Sequence, residues 1–139
     1  MKTEDVSVRI VKKWPRKEII RLYKAGGWWN GSDAPSLVDK MISGSFAFAV
    51  AVDIPSGKAV GMGRVLSDGA SDAYIQDVVV APERRKREIG GRIIRALRDH
   101  CLGRGVGWVC LVAEPGTEGF YRKLGFRRMR GHSPMRHKG

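Results

Sequence analysis

The chain has 139 residues, 42% of them hydrophobic and 29% charged, which fits one soluble domain whose core needs neither disulfides nor metal. Twenty-six Lys and Arg against 14 Asp and Glu give a net charge of +12, so an anionic partner is expected: nucleic acid, a membrane surface or a phosphorylated small molecule. Cys101 and Cys110 are too few for a disulfide framework and lack zinc-like spacing. No run approaches the roughly 20 apolar residues of a membrane helix. The opening "MKTEDVSVRIVKKWP" alternates polar and apolar residues and carries no signal-peptide block, so a cytoplasmic location is expected.

Residues 6–12, "VSVRIVK", read as a first strand with Val6, Val8 and Ile10 on one face. Pro15 suits a helix first turn, and Ile19, Ile20, Leu22 and Tyr23 carry the helical period until "AGG" at 25–27 stops it. A short second helix is expected over 34–42. Residues 45–68 read as a hairpin turning at Pro55-Ser56-Gly57, and 73–80, "AYIQDVVV", as the next strand. Ile89, Ile93, Leu97 and Cys101 recur every four residues on one helical face, which "GRGVG" at 103–107 ends. "WVCLVA" at 108–113 is continuous and apolar, as a strand covered on both faces is. A brief helix over 117–126 closes at Gly125, and a last, weakly patterned strand is expected after Phe126. The order is β-α-α-β-β-β-α-β-α-β, without repeat or linker, so residues 1–139 are expected to form a single domain.

Between the valine strand and the long helix lies "APERRKREIGG", residues 81–91. A strand entering a helix through a loop exposes free backbone N–H groups at the positive end of the helix dipole, a natural anion site. Glycine lets a phosphate approach the main chain, and Arg and Lys add forked, charged hydrogen bonds. The stretch can therefore hold a pyrophosphate, although a solvated basic loop is an equal reading of these residues alone.

The same segment resembles the acetyl-coenzyme A motif of the GNAT family of N-acetyltransferases. Val80-Ala81-Pro82 is followed by Arg85-Lys86-Arg87-Glu88-Ile89-Gly90 and then Gly91 in that family's register. Some thirty residues on, "FYRKLGF" at 120–126 is similar to the family's ending FYxKLGF. The order of elements matches as well. The resemblance implies an α/β acyl-CoA N-acyltransferase fold, a mixed central sheet with a splayed strand pair and flanking helices. It also implies acetyl-CoA as co-substrate, a primary amine as acceptor, no metal, and a homodimer as a common state. Members usually carry Gly where Glu88 stands, and often where Lys86 stands. A carboxylate there repels the ligand and a Cβ crowds it.

By the same resemblance, main-chain groups of the 78–80 strand segment (Val78, Val79, Val80) bind the pantetheine arm, and residues 85–91 bind the diphosphate. Tyr121 is the candidate acid, because a phenol of ordinary pKa ~10 stays protonated at neutral pH and can donate to a departing thiolate. Phe120 is expected in the core. Asp77 is the candidate relay for the amine proton or a structural acceptor, with Glu114 a weaker rival. Trp28 and Trp29 can wall an amine pocket or pack a loop onto the sheet. The stretch "GRVLSDGASDAYIQDVVVAP" is also similar to small arylalkylamine-type members. Two other readings stand beside this one: a basic nucleic-acid-binding module, and a CoA-binding domain without catalysis. Neither a membrane partner nor a recognised nucleic-acid-reading motif is expected.

Overall fold

The computed structural model describes residues 5–86 and 88–139. Five strands form one sheet in the order β1-β2-β3-β4-β5. They are β1 (Val6–Ile10), β2 (Ala47–Asp53), β3 (Ala59–Leu66), β4 (Asp72–Val80) and β5 (Trp108–Leu111). The first four run antiparallel to their neighbours, whereas β5 lies parallel to β4. A parallel neighbour needs a crossover. The helix α3 (Ile89–Gly103) supplies it.

Strict alternation in β2 divides the core in two. Ala47, Ala49 and Ala51 face α3, where Ile89, Ile93, Ile94, Leu97 and Cys101 are all buried. Phe48, Val50 and Val52 face the opposite layer, built from α1 (Arg16–Ala25) and α2 (Leu37–Gly44) through Ile19, Leu22, Tyr23, Val38 and Ile42. Both faces are covered, which is why β2 is buried at every position. The small face of β3 lets α3 settle onto the sheet: a Cβ on Gly61 would stand 2.9 Å from Ile93 Cδ1, and one on Gly63 3.0 Å from Ile93 Cγ2. No described helix is long and apolar enough to cross a membrane.

The hairpin between β2 and β3 is tied to the segment that follows β4. The buried Asp53 carboxylate accepts Ser56 Oγ at 2.5 Å and Arg84 Nη2 at 3.1 Å. Hydrogen bonds from Ser56, then Arg84, hold its pKa below the usual carboxylate value. The 3-10 turn Pro82–Arg84 therefore enters the next loop from a fixed starting point.

Three sequence expectations change. The edge strand β1 loses its alternating burial along its length, so Val6 is buried and Ile10 is exposed. The strand expected over 108–113 stops at Leu111 and lies at the sheet edge, leaving Trp108 58% exposed instead of covered. After α4 (Glu118–Lys123), no further strand forms among the described residues. The segment beyond Phe126 carries Arg127, Arg128, Arg130, Arg136 and Lys138 without an alternating apolar face, so a strand there has nothing to bury.

Candidate active site

Pairing between β4 and β5 runs from Asp72↔Trp108 to Ile75↔Leu111 and ends there, while β4 continues to Val80. The second half of β4 thus has no strand on its β5 side, and the two strands part. This opening matches the splayed strand pair that the resemblance implies. A bulge lies in the same half of β4. On the β3 side, Met62↔Val79 is followed by Arg64↔Gln76, so Asp77 and Val78 together oppose Gly63 alone. Asp77 takes the left-handed φ of 60° that such a bulge demands, a conformation Asp tolerates better than most residues.

The Asp77 carboxylate reinforces that geometry. Its Oδ2 accepts Tyr23 OH from α1 and Arg64 Nε from β3, each at 2.8 Å. The Arg64 and Asp77 side chains are only 15% and 13% exposed, so each satisfies a charge that would be costly alone. Burial first, and then the Asp77 charge, push the Tyr23 pKa far above the ordinary phenol value, so its hydroxyl remains a donor. Tyr23 and Arg64 were missed in the sequence. The signal for Arg64 was present: one cation inside the apolar strand "AVGMGRVL" requires a buried partner.

Beyond β4, the chain turns into the basic loop. Arg85 Nε donates to Val80 O at 3.0 Å, folding the guanidinium back over the strand end. Lys86 and Glu88 both lie at φ 63°, in the left-handed region. These are the two positions where the resemblance calls for glycine, and the backbone explains that preference: only glycine occupies this region without a steric penalty. Glu88 precedes the first turn of α3 and makes no side-chain cap, while its own carbonyl accepts Arg92 N. The N–H groups of the following residues, Ile89, Gly90 and Gly91, therefore stand at the open positive end of a 15-residue helix. Ile89 sends its side chain into the core, and a Cβ on Gly90 would lie only 3.4 Å from Phe120 Cζ. Arg87, also expected in this loop, lies outside the described residues.

The opening between β4 and β5 leads into a cleft of about 350 Å³. Its floor includes Gln76, Asp77, Val78 and Leu111, and its walls include Trp28, Tyr74, Glu114 and Tyr121. Tyr121 sits on α4 between Phe120 and Phe126, with ring centroids 4.9 and 6.0 Å away. Burial first, and Glu114's charge second, raise its pKa, so the phenol keeps its proton at neutral pH. Phe120, expected in the core, is 41% exposed and packs beside Gly90 instead. The two tryptophans divide. Trp28 lines the cleft, whereas Trp29 packs among the residues of the α1–α2 layer, its ring 6.3 Å from Tyr23. Tyr74 is a cleft residue that the sequence did not single out.

Comparison with known proteins agrees with this geometry. The Acetyltransferase (GNAT) domain family matches residues 44–128, more than half of the chain. This chain belongs to the GNAT acetyltransferase family. Serotonin N-acetyltransferase 2 of rice (Oryza sativa subsp. japonica) is 38% identical over 71 residues, which are 51% of this chain and 36% of that protein. Rice glucosamine 6-phosphate N-acetyltransferase 1 is 35% identical over 83 residues, 55% of this chain and 50% of that protein. The matches thus span half or less of those relatives' lengths. Among solved structures, a GNAT family protein of Streptococcus pneumoniae superposes with a TM-score of 0.77 over 96% of this chain and 98% of that one, at 24% identity. That likeness shows the shared fold. The parted strands and Tyr121 share one cleft, and Gly90 at the start of α3 packs against Phe120, the neighbour of Tyr121.

Proposed function

We propose that the protein transfers the acetyl group of acetyl-CoA to a primary amine by direct attack on the thioester. The observation that carries this reading is the end of β4–β5 pairing at Ile75↔Leu111, with the anion-binding helix start at one end of the gap and Tyr121 beside it. The amides of Ile89, Gly90 and Gly91 hold the diphosphate, aided by the charges of Arg85 and Lys86. The unpaired edge of β4 at Val78, Val79 and Val80 offers main-chain groups to the pantetheine arm. Val80 keeps a second lone pair on its carbonyl after accepting Arg85.

The neutral amine attacks the thioester carbonyl carbon, forming the C–N bond, and the C–S bond then breaks. Tyr121 gives its proton to the departing sulfur. The amine nitrogen loses its proton to water in the open cleft, where the carboxylates of Asp77 and Glu114 can take it onward. Asp77 is chiefly a positioning residue in this scheme, since the oxygen bound by Tyr23 and Arg64 is already engaged. The test is release of free thiol from acetyl-CoA across a panel of primary amines. Amine-dependent release supports the reading. Tight acetyl-CoA binding with no release for any amine would leave a binding domain, and no binding at all would remove the donor site.

A further inference from the structure

We infer that the arginine-rich surface of α4 and residues 127–138 is a second anion site, which binds the phosphate backbone of nucleic acid without reading its sequence. This surface is separate from the β4–β5 cleft and does not depend on acetyl transfer.

Charge is concentrated there. Residues 118–139 hold five Arg and two Lys against one carboxylate, Glu118, a net +6 within the chain's +12. Every residue from 127 to 139 is exposed. Gly131 at φ 79°, with His132 N donating to Met129 O, turns the chain just after Arg130. Arg122, Arg128 and Arg130 line one hollow of about 520 Å³ together with Glu118 and Gly131. Glu118 pairs with Arg122 and, at 2.6 Å, with Arg128. Three guanidinium groups around one carboxylate leave the hollow positive, and the shared carboxylate holds two of them in place. Lys123, Arg127, Arg130, Arg136 and Lys138 form no ion pair among the described residues.

Helix geometry sets this surface apart from the donor loop. Phe120 packs beside Gly90 at the start of α3, and Tyr121 lines the cleft. Arg122 is turned about 200° from Phe120 and about 100° from Tyr121 on the same helix. No residue lines both the hollow and the cleft.

Composition favours nucleic acid over a protein partner. A protein interface closes around an apolar centre, whereas one with nucleic acid is polar and strongly positive. Met129 and Met135 are the large apolar side chains beyond Phe126. Arginine supplies planar forks that match phosphate oxygens. No Phe, Tyr or Trp stands among residues 127–139 to stack on bases, so phosphate contacts carry the binding.

The experiment follows a fluorescein-labelled duplex DNA of mixed sequence, about 20 base pairs long, by anisotropy over a range of salt concentrations. Wild-type binding should be saturable and unaffected by saturating acetyl-CoA. The triple variant Arg127→Gln, Arg128→Gln, Arg130→Gln should bind about tenfold more weakly, with a log–log salt slope shallower by about 2–3. A control, Arg9→Gln with Lys13→Gln and Lys17→Gln, removes equal charge from exposed positions elsewhere and should change affinity less than about threefold. No saturable binding, equal weakening by the two triple variants, or displacement of the DNA by acetyl-CoA overturns the inference. Equally tight binding of a polyglutamate peptide of matched charge also overturns it, by making the surface one for acidic protein. Should the arginine variant fail to fold, amide NMR of the wild type with the same DNA decides the point. Largest shifts at 122–138 uphold the second site, and shifts centred on the loop before α3 end it.

Discussion

The two ends of the site are built on opposite principles. The proposed donor end, within residues 82–91, is a basic loop opening onto helix amides, and its main chain takes left-handed φ angles at Lys86 and Glu88. The proposed acceptor end is an aromatic cleft that no cation lines among the described residues, shaped by side chains that converge from α1, β3, β4 and the segment after β5. A diphosphate can be held by backbone, so that end depends on conformation and tolerates varied side chains. An amine acceptor is chosen by side chains, so that end depends on which residues meet across the fold. Substitutions at the acceptor end should therefore alter turnover and selectivity, and those at the donor end should alter affinity.

The largest expected effect is at Tyr121. Tyr121→Phe should lower kcat by about a hundredfold or more while changing the acetyl-CoA dissociation constant less than about twofold. Steady-state kinetics with calorimetric titration checks both, and a parallel loss of binding would make Tyr121 a packing residue. Asp77 comes next. Asp77→Ala strips the partner from Arg64 and Tyr23 and places alanine in a left-handed turn, which should cost about 2–4 kcal/mol in urea denaturation. Asp77→Asn should cost less, since Asn keeps an acceptor and tolerates the turn. Equal losses in the two variants would show the carboxylate pair to be unimportant to the bulge.

At the donor end, Lys86→Gly and Glu88→Gly should each stabilise the fold by about 1 kcal/mol, by relieving the left-handed penalty against the greater freedom of an unfolded glycine. Glu88→Gly should also tighten acetyl-CoA by up to about tenfold, because a carboxylate leaves the diphosphate's surroundings. Lys86→Gly removes a cation and should not tighten binding. The same response from both would show strain alone, without charge, to govern the loop. The smallest effect is in the pH profile. Because the Tyr121 pKa is raised, the acid stays loaded as pH climbs, and kcat should fall only above the ordinary phenol value near ~10. Tyr121→Phe should remove that alkaline limb, and Glu114→Gln should move it to lower pH.

The strand end, turn and helix start that make up the proposed donor end were legible in the sequence because their determinants are local. Strand, proline, cations and glycines lie within some fifteen consecutive residues, and the element order from β1 to α4 follows from apolar periodicity together with local Pro and Gly breakers. Even there, the reason the resembling family favours glycine at the positions of Lys86 and Glu88 emerged only when both φ angles proved positive. The acceptor end was legible in pieces. Trp28 and Trp29 are adjacent and chemically alike, and only packing decides that one lines the cleft while the other joins the α1–α2 layer. The bond between Tyr23 and Asp77 spans 54 positions, and no local pattern reports a contact of that range. The strand expected after Phe126 failed for a plainer reason: a weak pattern dense in arginine supplies no apolar face.

The donor site can be tested by backbone amide NMR during titration with acetyl-CoA. The account predicts saturable one-to-one binding with the largest shifts at residues 88–91 and 76–80, and little change around the second arginine cluster at 122–130. Shifts centred on that cluster instead, or no saturable binding, would contradict it.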